Sequence, residues 1–359
     1  MTGTTAFIYS PEHLNYQFGR GHPLQPHRLQ LTLNLIKELQ ILNGRAKLME
    51  PKPATPQDLR LAHSKEYIDF VKRMSKLGRG YLDYGDTPAT RGIFEAALSV
   101  VGGSITGADL IMRGEANHAF NPVGGLHHAK EDGAAGYCVF NDVAIVARHL
   151  QRRHGLSRIA IVDIDGHHGD GTQDIFYKEP ILTISLHRIG IFPGTGYVSE
   201  MGEGEGLGYS VNVPLPGGTD DETYLYAFEE VVPPLIERHK PDALLTQFGV
   251  DGHHRDPLVG LSLTTRAYRE IATAIHNLAH KHSHGRLLIL GGGGYNPQNV
   301  ARCWAVMFAT VSEALPEASS KTFEDLLDGE RPPKDDRVFG RVMETVARVK
   351  ETIFPLHGL

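Results

Sequence analysis

Aspartate and histidine alternate in the segment IVDIDGHHGDG, where Asp165 and His167 are two positions apart. In extended backbone such positions share one side of the chain, so both side chains can contact a single ion. A second segment, FGVDGHHRDP, offers Asp251 as a third ligand. Aspartate oxygen and histidine nitrogen suit Zn²⁺, and three protein ligands leave a coordination position open for water and substrate. The alternative is that these residues cap helices or turns.

The adjacent histidines His127 and His128 lie in the glycine-containing segment PVGGLHHAKEDGAAGYC. Because we expect their side chains to diverge, the pair is better placed to flank a reacting group than to chelate one ion. Histidine titrates near neutral pH and can act as a general base, usually oriented by a carboxylate on its other ring nitrogen. Asp163 and Asp170, which are not needed as metal ligands, are candidates for that carboxylate. A flexible loop with two solvated imidazoles is the alternative.

Four glycines precede Tyr295 in the segment LLILGGGGYN. The segment matches neither of the spaced glycine motifs that bind phosphate groups. Consecutive glycines instead allow the backbone to pass close to a ligand and to present the next side chain. A phenol beside a polarised carbonyl can donate a hydrogen bond to a developing oxyanion, so Tyr295 is a candidate catalytic residue. A turn with a packed tyrosine is the alternative.

Short apolar segments rich in β-branched residues predict strands, and longer segments with helical spacing alternate with them. This alternation predicts a parallel sheet covered on both faces. The chain shows no repeat and no linker, so we predict one domain over residues 1–359. The predicted strands are residues 6–9, 159–163, 181–186, 243–248 and 287–290, with a weaker candidate at 118–120. The predicted helices are residues 26–42, 89–112, 142–154, 220–238, 264–282, 298–313 and 338–353, with a surface loop at 325–337.

The polar segments begin where predicted strands end. In open α/β sheets, binding sites form beyond the carboxyl ends of the strands. Residues 163–171, 249–257 and 291–296 each follow a predicted strand, and residues 124–129 follow the weaker candidate. Four polar clusters at one end of one sheet predict a single active site.

Composition and charge argue against several classes of protein. The net charge of −6 is unlike the basic character of a nucleic-acid-binding protein. Two cysteines, Cys138 and Cys303, cannot form a disulfide framework. The amino terminus lacks the pattern of a signal peptide, and no apolar run reaches the roughly 18 residues that a membrane span needs. We therefore expect a soluble cytoplasmic protein that binds neither nucleic acid nor membrane.

Taken together, these segments resemble the histone deacetylase family, in particular its class I and bacterial acetoin-utilisation-protein branches. The resemblance covers nearly the whole chain and implies an arginase-like α/β fold, with an eight-stranded parallel sheet flanked by helices on both faces. A tube would lead to Zn²⁺, with Fe²⁺ as the alternative ion in the cell. The motifs that carry the resemblance are HPLQPHR, DTPAT, LHHAKEDGAAGYCVFND, DIDGHHGDG, SLHRIGIFPGTG, VDGHHRDPLVGLSLT and GGGGYN.

The resemblance also implies which residues hold ions. It makes Asp165, His167 and Asp251 the ligands of Zn²⁺. The family binds K⁺ near the zinc loop as well. The matching groups here are the carbonyls of Asp163, Asp165, His167 and Leu186 and the hydroxyl of Ser185.

Catalytic roles follow from the same resemblance. His127 would be hydrogen-bonded to Asp163. His128 would pair with Asp170 and act first as general base toward water and then as general acid toward the leaving amine. Tyr295 would stabilise the oxyanion. The products would be acetate and a free amine.

Further matched positions would surround the substrate and the product. The carbonyl of Gly136 would accept a hydrogen bond from the substrate amide, between aromatic walls formed by Tyr137 and Phe192. Asp86 matches a rim residue that binds backbone N–H groups of a peptide. Arg28 matches an arginine of an internal channel for acetate release.

The predicted substrate is acetyl-lysine in a protein or peptide. Asp86 favours a peptide, and Leu258 stands where relatives that deacetylate polyamines carry an acidic residue. Acetylated polyamines and other small N-acetyl amines are the alternative substrates. A rival enzyme class is a binuclear Mn²⁺ ureohydrolase, with His253 and Asp256 as additional ligands. A catalytically inactive module that binds acetyl-lysine and a structural scaffold are rivals of other classes.

Two positions depart from the family pattern. Gly166 stands where many members carry a branched residue, which is expected to loosen the metal loop without removing a ligand. Tyr137 replaces a phenylalanine that is commoner in the family, and its hydroxyl is available to donate a hydrogen bond into the tunnel.

Overall fold

Eight parallel strands form one sheet in the computed structural model of the chain, which describes residues 4–314 and 323–359. The strands are β1 (Thr5–Ile8), β2 (Ala46–Met49), β3 (His118–Asn121), β4 (Ile159–Asp163), β5 (Leu182–Arg188), β6 (Ser210–Leu215), β7 (Ala243–Gln247) and β8 (Leu287–Leu290). Their order across the sheet is β2-β1-β3-β8-β7-β4-β5-β6. Every residue of β1, β3, β4, β7 and β8 is buried, as expected where helices cover both faces. The predicted α/β fold class is confirmed.

The two edge strands, β2 and β6, lie outside the predicted strands. In β2, Lys47 and Leu48 are both exposed, so the apolar pattern that predicts a buried strand is absent. Asn212 and Pro214 interrupt the apolar pattern of β6. Proline is tolerated there because one side of an edge strand has no pairing partner in the sheet. Pairing with distant residues therefore defines the edge strands more than local composition does.

Helices surround the sheet in the described residues, and seven of them overlap predicted helices. Among the others, α3 carries the expected signals, since Ser64 caps its start and Gly78 adopts a left-handed conformation at its end. The helices are α1 (His27–Glu38), α2 (Pro56–Leu59), α3 (Lys65–Leu77), α4 (Ile93–Met112), α5 (Asp142–His154), α6 (Asp170–Phe176), α7 (Asp221–His239), α8 (Thr265–His282), α9 (Pro297–Ser312) and α10 (Asp336–Thr352). The helices that the sequence pattern missed are α2, α3 and α6.

The segment 325–337, expected to be a surface loop, is partly buried. Leu326, Leu327 and Asp328 are each less than 9% exposed, whereas most of the residues that follow are exposed. The Asp328 carboxylate accepts hydrogen bonds from the backbone N–H of Thr265 at 2.9 Å and from Arg302 at 2.8 Å. The expectation is therefore wrong for the first part of the segment, which fastens the start of α8 to α9.

The longest helix, α4, is apolar enough and long enough to cross a membrane by composition alone. However, 72% of its most apolar stretch is buried inside the fold, and it packs on β3, β8 and α5. Gly107 allows the close approach to the sheet, because a Cβ there would lie 2.8 Å from a methyl group of Leu288. These contacts identify α4 as a core helix.

We predict that Phe120→Ala lowers the free energy of unfolding by about 3–5 kcal/mol, because a buried aromatic ring leaves a cavity behind. The Phe120 ring lies edge-on to Phe7 at 5.6 Å and to Trp304 at 5.7 Å, next to the active-site end of the sheet. Urea denaturation followed by circular dichroism measures the change. Leu77→Ala, at a side chain that is 50% exposed, is the control and should change stability by less than about 1 kcal/mol. Equal effects of the two substitutions would contradict the placement of Phe120.

Candidate active site

The polar segments converge at the carboxyl ends of four strands that are neighbours in the sheet: β3, β8, β7 and β4. These strands end at Asn121, Leu290, Gln247 and Asp163. Because all strands are parallel, the loops that follow them lie at one edge of the sheet. The loops carry the histidine pair, the glycine run, Asp251 and the Asp165–His167 segment, respectively.

Asp165, His167 and Asp251 form one buried cluster, in which the three ligand atoms lie within 4.8 Å of one another. The Nδ1 atom of His167 is 2.8 Å from Oδ2 of Asp251 and 3.3 Å from Oδ1 of Asp165. No residue of the cluster is more than 8% exposed. The fold thus brings two carboxylates and one imidazole together at a single point.

Donors from the surrounding loops fix both carboxylates of this cluster. Oδ2 of Asp165 accepts hydrogen bonds from the Gln247 side chain and from the backbone N–H of Gly293, both at 2.7 Å. Oδ1 of Asp251 accepts the Gly166 N–H at 2.7 Å. A Cβ at Gly293 would overlap the Asp251 carboxylate, so the glycine run is needed for this approach. Gln247 was absent from the predicted site residues, although a polar residue that closes an apolar strand is a signal for it.

Two carboxylates buried side by side require positive charge nearby. Burial opposes the charge on His167, yet Asp165 and Asp251 raise the pKa of this histidine to about 10. Burial and the charge of Asp165 raise the pKa of Asp251 to about 7. A divalent cation bound by these three side chains would replace the proton on His167 and neutralise both carboxylates. The cluster therefore fits a metal ion.

His127 and His128 point to the same place, with their Nε2 atoms 3.1 Å apart. The expectation that the two side chains diverge is wrong, because Gly125, at φ +87°, turns the loop just before the pair. The Nδ1 atom of His127 is 2.7 Å from Asp163, and Nδ1 of His128 is 2.8 Å from Asp170. Each imidazole is thus held by its own carboxylate, and both Nε2 atoms face the same space.

The two histidines have opposite pKa shifts. Burial lowers the pKa of His127, but the charges of Asp163 and Asp165 outweigh this effect and raise it to about 9. Burial and the positive charge of His127 lower the pKa of His128 to about 4, while Asp170 acts in the other direction. The pKa of His127 therefore lies above that of His128, so His128 is the member of the pair that loses its proton first. A neutral imidazole is the form that can accept a proton from water.

The histidine loop is held by two residues that sequence reasoning missed, Asn141 and Asp142 at the start of α5. The Asp142 carboxylate accepts the backbone N–H of Gly125 at 3.0 Å and that of Leu126 at 2.8 Å. The Asn141 side chain donates to the carbonyl of Ala129 at 3.0 Å and also caps α5. The Asn-Asp pair before a helix is visible in the sequence, but it predicts only a helix start.

Tyr295 is positioned by its backbone as well as by its ring. Its N–H donates to Asp256 Oδ2 at 2.7 Å, which fixes the end of the glycine run. Its ring lies edge-on to the His167 ring at 6.3 Å and to the Tyr137 ring at 5.9 Å. Burial raises the pKa of Tyr295 well above its usual value, and the negative charges of Asp251 and Asp165 raise it further. The phenol therefore keeps its proton and is available as a hydrogen-bond donor.

A cavity of about 990 Å³ is lined largely by residues 83–86 and 130–136, and neither histidine of the pair is part of its lining. Asp86, Gly136 and Phe192 are among its lining residues. The Phe192 ring is 5.0 Å from the His128 ring, so one lining residue of the cavity also contacts a catalytic candidate. Burial and the charge of Asp83 raise the pKa of Asp86, at the rim, to about 6.

Two further predicted substrate residues, Tyr137 and Leu258, do not line this cavity. Tyr137 adopts a left-handed conformation at φ +67°, and its N–H donates to the Thr87 hydroxyl at 3.1 Å. Leu258 is 41% exposed in the loop after β7, and its N–H donates to Asp256 at 3.0 Å. In the described part of the chain, the cavity lining includes neither residue.

Arg28 is a buried cation close to the glycine run. Its guanidinium donates to the carbonyl of Gly294 at 3.0 Å and lies 5.0 Å from the Trp304 ring. Among the described residues, no carboxylate comes within 4.0 Å of it. Burial accordingly lowers the pKa of Arg28. A buried cation without a paired carboxylate is suited to meet a small anion.

Residues of two neighbouring strands, β4 and β5, carry three of the groups predicted to bind K⁺. Ser185 is paired with Asp163 in the sheet, and its hydroxyl is 2.9 Å from Nδ1 of His187. The carbonyl of Leu186 accepts a hydrogen bond from the hydroxyl of Tyr224 at 3.5 Å. Binding of K⁺ by this group stays a prediction.

The residues that a second metal would need are engaged elsewhere. Nε2 of His253 is 3.0 Å from the Asp328 carboxylate. Asp256 accepts backbone N–H groups of Leu258 and Tyr295. In the described residues, neither joins the cluster around Asp165. This geometry does not favour a binuclear centre.

Gly166 does not leave the metal loop loose. A Cβ at this position would lie 2.5 Å from Cγ1 of Val259, whose side chain fills the space in front of the glycine. Val259 is fully buried. The expectation of a loosened loop is therefore wrong, because a residue from another loop supplies the missing volume.

Comparison with known proteins agrees with this geometry. A family model described as histone deacetylase domain matches residues 22–311. The acetoin utilization protein AcuC of Bacillus subtilis (strain 168) is 38% identical over 318 residues, which are 84% of this chain and 82% of that protein. A probable deacetylase of Archaeoglobus fulgidus is 39% identical over 297 residues, 81% of each protein. The crystal structure of the HDA15 HD domain matches with a TM-score of 0.84 at 28% identity, over 99% of this chain and 97% of that one. The chain belongs to the histone deacetylase family.

Proposed function

We propose that this chain is a Zn²⁺-dependent deacetylase that hydrolyses the acetyl amide of acetyl-lysine in proteins or peptides. As a member of the histone deacetylase family, it is a hydrolase that acts on amides. The observation that carries the proposal is the meeting of a metal-binding cluster with the neutral His128 and the protonated Tyr295. An amide hydrolase needs these three functions within reach of one carbonyl group.

The metal would be held by Asp165, His167 and Asp251. When bound, a divalent ion supplies Lewis-acid polarisation of the acetyl carbonyl and of the attacking water. We propose Zn²⁺ because it accepts both carboxylate and imidazole ligands and leaves a coordination position open in three-ligand sites. Fe²⁺ is the second candidate, and metal analysis of protein purified from its own cells distinguishes the two.

His128 would move the proton. The carboxylate of Asp170 accepts the Nδ1 proton of His128, which leaves Nε2 as the atom that can take a proton from water. After water has attacked the carbonyl, the protonated His128 donates the same proton to the leaving nitrogen. The charge on His127, whose Nε2 is 3.1 Å away, makes His128 a stronger acid for this second step.

Tyr295 would stabilise the oxygen that gains charge when water attacks. The raised pKa of Tyr295 keeps its hydroxyl protonated, so it can donate a hydrogen bond to the oxyanion. Asp256 holds the backbone of Tyr295 and thereby orients the ring. Acetate and a free amine leave as products, and the unpaired cation of Arg28 would receive the acetate.

Acetyl-lysine is favoured over acetylated polyamines by the rim of the cavity. The carboxylate of Asp86 is exposed there and can accept N–H groups from a peptide backbone. Leu258 offers no negative charge to a second amine of a polyamine. Small N-acetyl amines are the second candidate substrate. We also propose K⁺ bound near Ser185, a cytoplasmic location, and no nucleic-acid or membrane partner, in keeping with the net charge of −6.

Asp170→Asn is expected to lower kcat/KM by about 10²–10⁴, because an amide neither fixes the tautomer of His128 nor stabilises its protonated form. Asp170 contributes to raising the pKa of His128, so its loss lowers that pKa further. His128 must be neutral to act as a base, and the acidic limb of the pH–rate profile should therefore move to lower pH. Asp174→Asn, on the same helix and likewise bonded to Lys130, is the matched control. With a small acetyl-lysine substrate it should stay within about threefold of wild type, and equal losses would reject the role of Asp170.

Tyr295→Phe is expected to lower kcat at least tenfold, because one oxyanion donor is typically worth about 10²–10³ in rate. The bound metal should be unchanged, since the phenol is not a ligand. Steady-state kinetics and metal analysis on the same preparation measure both quantities. Tyr137→Phe, which removes a hydroxyl from the neighbouring ring, is the control and should retain most activity. Near wild-type turnover of Tyr295→Phe would defeat the proposed mechanism.

Asp86→Ala is expected to raise KM for an acetyl-lysine peptide by about tenfold or more, the value of a lost charge-assisted hydrogen bond. The KM of a single acetylated amine without a peptide backbone should hardly change. Because the pKa of Asp86 is about 6, peptide KM should also rise as the pH falls through that value and the carboxylate is protonated. Asp132→Ala removes a charge from the same cavity and is the control. Faster turnover of acetylpolyamines than of peptides by wild type would overturn the lysine assignment.

A further inference from the structure

Three histidines from two elements meet at the end of the sheet opposite the active site. His118 is the first residue of β3, and His276 and His280 are one turn apart on α8. The ring centroids lie 4.9 Å apart for His118 and His276, 5.0 Å for His118 and His280, and 4.5 Å for His276 and His280. We call these three residues the histidine cluster.

We propose that the histidine cluster is a second, exchangeable Zn²⁺ site, distinct from the catalytic cluster. Each of its residues offers one ring nitrogen, and the three nitrogens lie within 4.8 Å of one another. Residues at i and i+4 of a helix present their side chains on one face, which is a common way to supply two ligands to one ion. Three imidazoles form a known Zn²⁺ ligand set that leaves a position for water.

The spacing of two nitrogens already matches a metal site. Nε2 of His118 is 3.2 Å from Nε2 of His280. Two nitrogens that each lie about 2.0–2.1 Å from Zn²⁺ in a tetrahedral arrangement are separated by about 3.3 Å. An ion can therefore bind between these two rings with little movement, and a change of side-chain rotamer at His276 would complete the set.

The surroundings of His276 suit a metal ligand whose second ring nitrogen is held by a carboxylate. Its Nε2 lies 3.6 Å from the Glu313 carboxylate, and its Nδ1 has no hydrogen-bond partner among the described residues. Metal-bound imidazoles commonly turn their second nitrogen toward a carboxylate. Coordination through Nδ1 would give His276 this arrangement and would satisfy an atom that is otherwise buried without a partner.

One member of the histidine cluster is buried, and another is open to solvent. His118 is 3% exposed and its pKa is lowered to about 3, first by burial and then by the other two histidines. It is therefore neutral, as a ligand must be. His280 is exposed, so an ion can enter from solvent. A site that is open to solvent on one side is expected to exchange its metal more readily than the buried catalytic cluster.

Two other histidine groups in the described residues lack these properties. His149 and His154 both contact the Asp109 carboxylate at 2.8 Å, which satisfies their Nε2 atoms. His253 is held by Asp328, which is also bonded to Arg302. In those groups a carboxylate already satisfies the histidine nitrogens that face it. In the histidine cluster, the Nε2 atoms of His118 and His280 face each other rather than a carboxylate.

The test compares the amount of bound Zn²⁺ between wild type and His276→Ala/His280→Ala. Each full-length protein is dialysed to equilibrium against a small excess of Zn²⁺, and bound Zn²⁺ is measured by atomic mass spectrometry as the difference between the protein compartment and the buffer. The double variant should bind one equivalent per chain less than wild type. Added Zn²⁺ should also raise Tm of wild type by at least about 2 °C more than that of the variant, because the ion ties α8 to β3 only in the folded state.

The matched control is His282→Ala, which removes a histidine from the same helix outside the cluster, and it should bind as much Zn²⁺ as wild type. Deacetylase activity is measured in parallel and should be unchanged in all variants, so a failure of the proposed function does not affect the difference in bound metal. Equal Zn²⁺ content in wild type and the double variant would overturn the proposal. Such a result would identify the cluster as hydrogen-bonded imidazoles only.

Discussion

The active site depends on holding two carboxylates, Asp165 and Asp251, side by side where water is excluded. Like charges repel strongly in such a medium, and one of the two would otherwise take up a proton. The fold counters this repulsion with backbone N–H groups from Gly166 and Gly293 and with positive charge, carried by the proton on His167 or by a metal ion. The glycines are required because a Cβ at Gly293 would occupy the space of a carboxylate oxygen. The sheet topology serves the same purpose, since it places the ends of β4, β7 and β8 next to one another.

The different behaviour of the two histidines follows from the same concentration of negative charge. His127 faces Asp163 and lies near Asp165, so its proton is held tightly. His128 is bonded to the carboxylate of Asp170 but also lies close to the positive charge of His127, so it loses its proton more easily. Two chemically identical neighbours thus acquire opposite pKa shifts, which suits them to the different roles proposed for them. The sequence predicts their presence and their carboxylate partners, but the difference arises from unequal distances to the buried charges.

Much of the fold and of the site could be predicted because both leave local signals. The apolar strands that end in polar segments, such as β4 before Asp165, indicate the site and the parallel sheet together. The edge strands β2 and β6 could not be predicted, since their pairing depends on residues far away in the chain. The contacts of Asp142 and Asp256 could not be predicted for the same reason, because each carboxylate accepts a hydrogen bond from a loop that lies near it only in the folded chain. The prediction of a surface loop is wrong near Asp328 for the same reason, since its partner His253 is far away in the chain.

The contact of Gly166 with Val259 explains why a departure from a family pattern cannot be judged at one position. A glycine in the metal loop indicates lost volume and greater freedom when it is considered alone. Val259, from the loop that also carries Asp251, fills that volume and is fully buried. The Gly166 N–H at the same time donates to Asp251. The two loops that supply the three metal ligands are therefore joined at Gly166 by a hydrogen bond to Asp251 and by close packing against Val259, in addition to the contact of His167 with Asp251, and the missing Cβ of the glycine permits this packing.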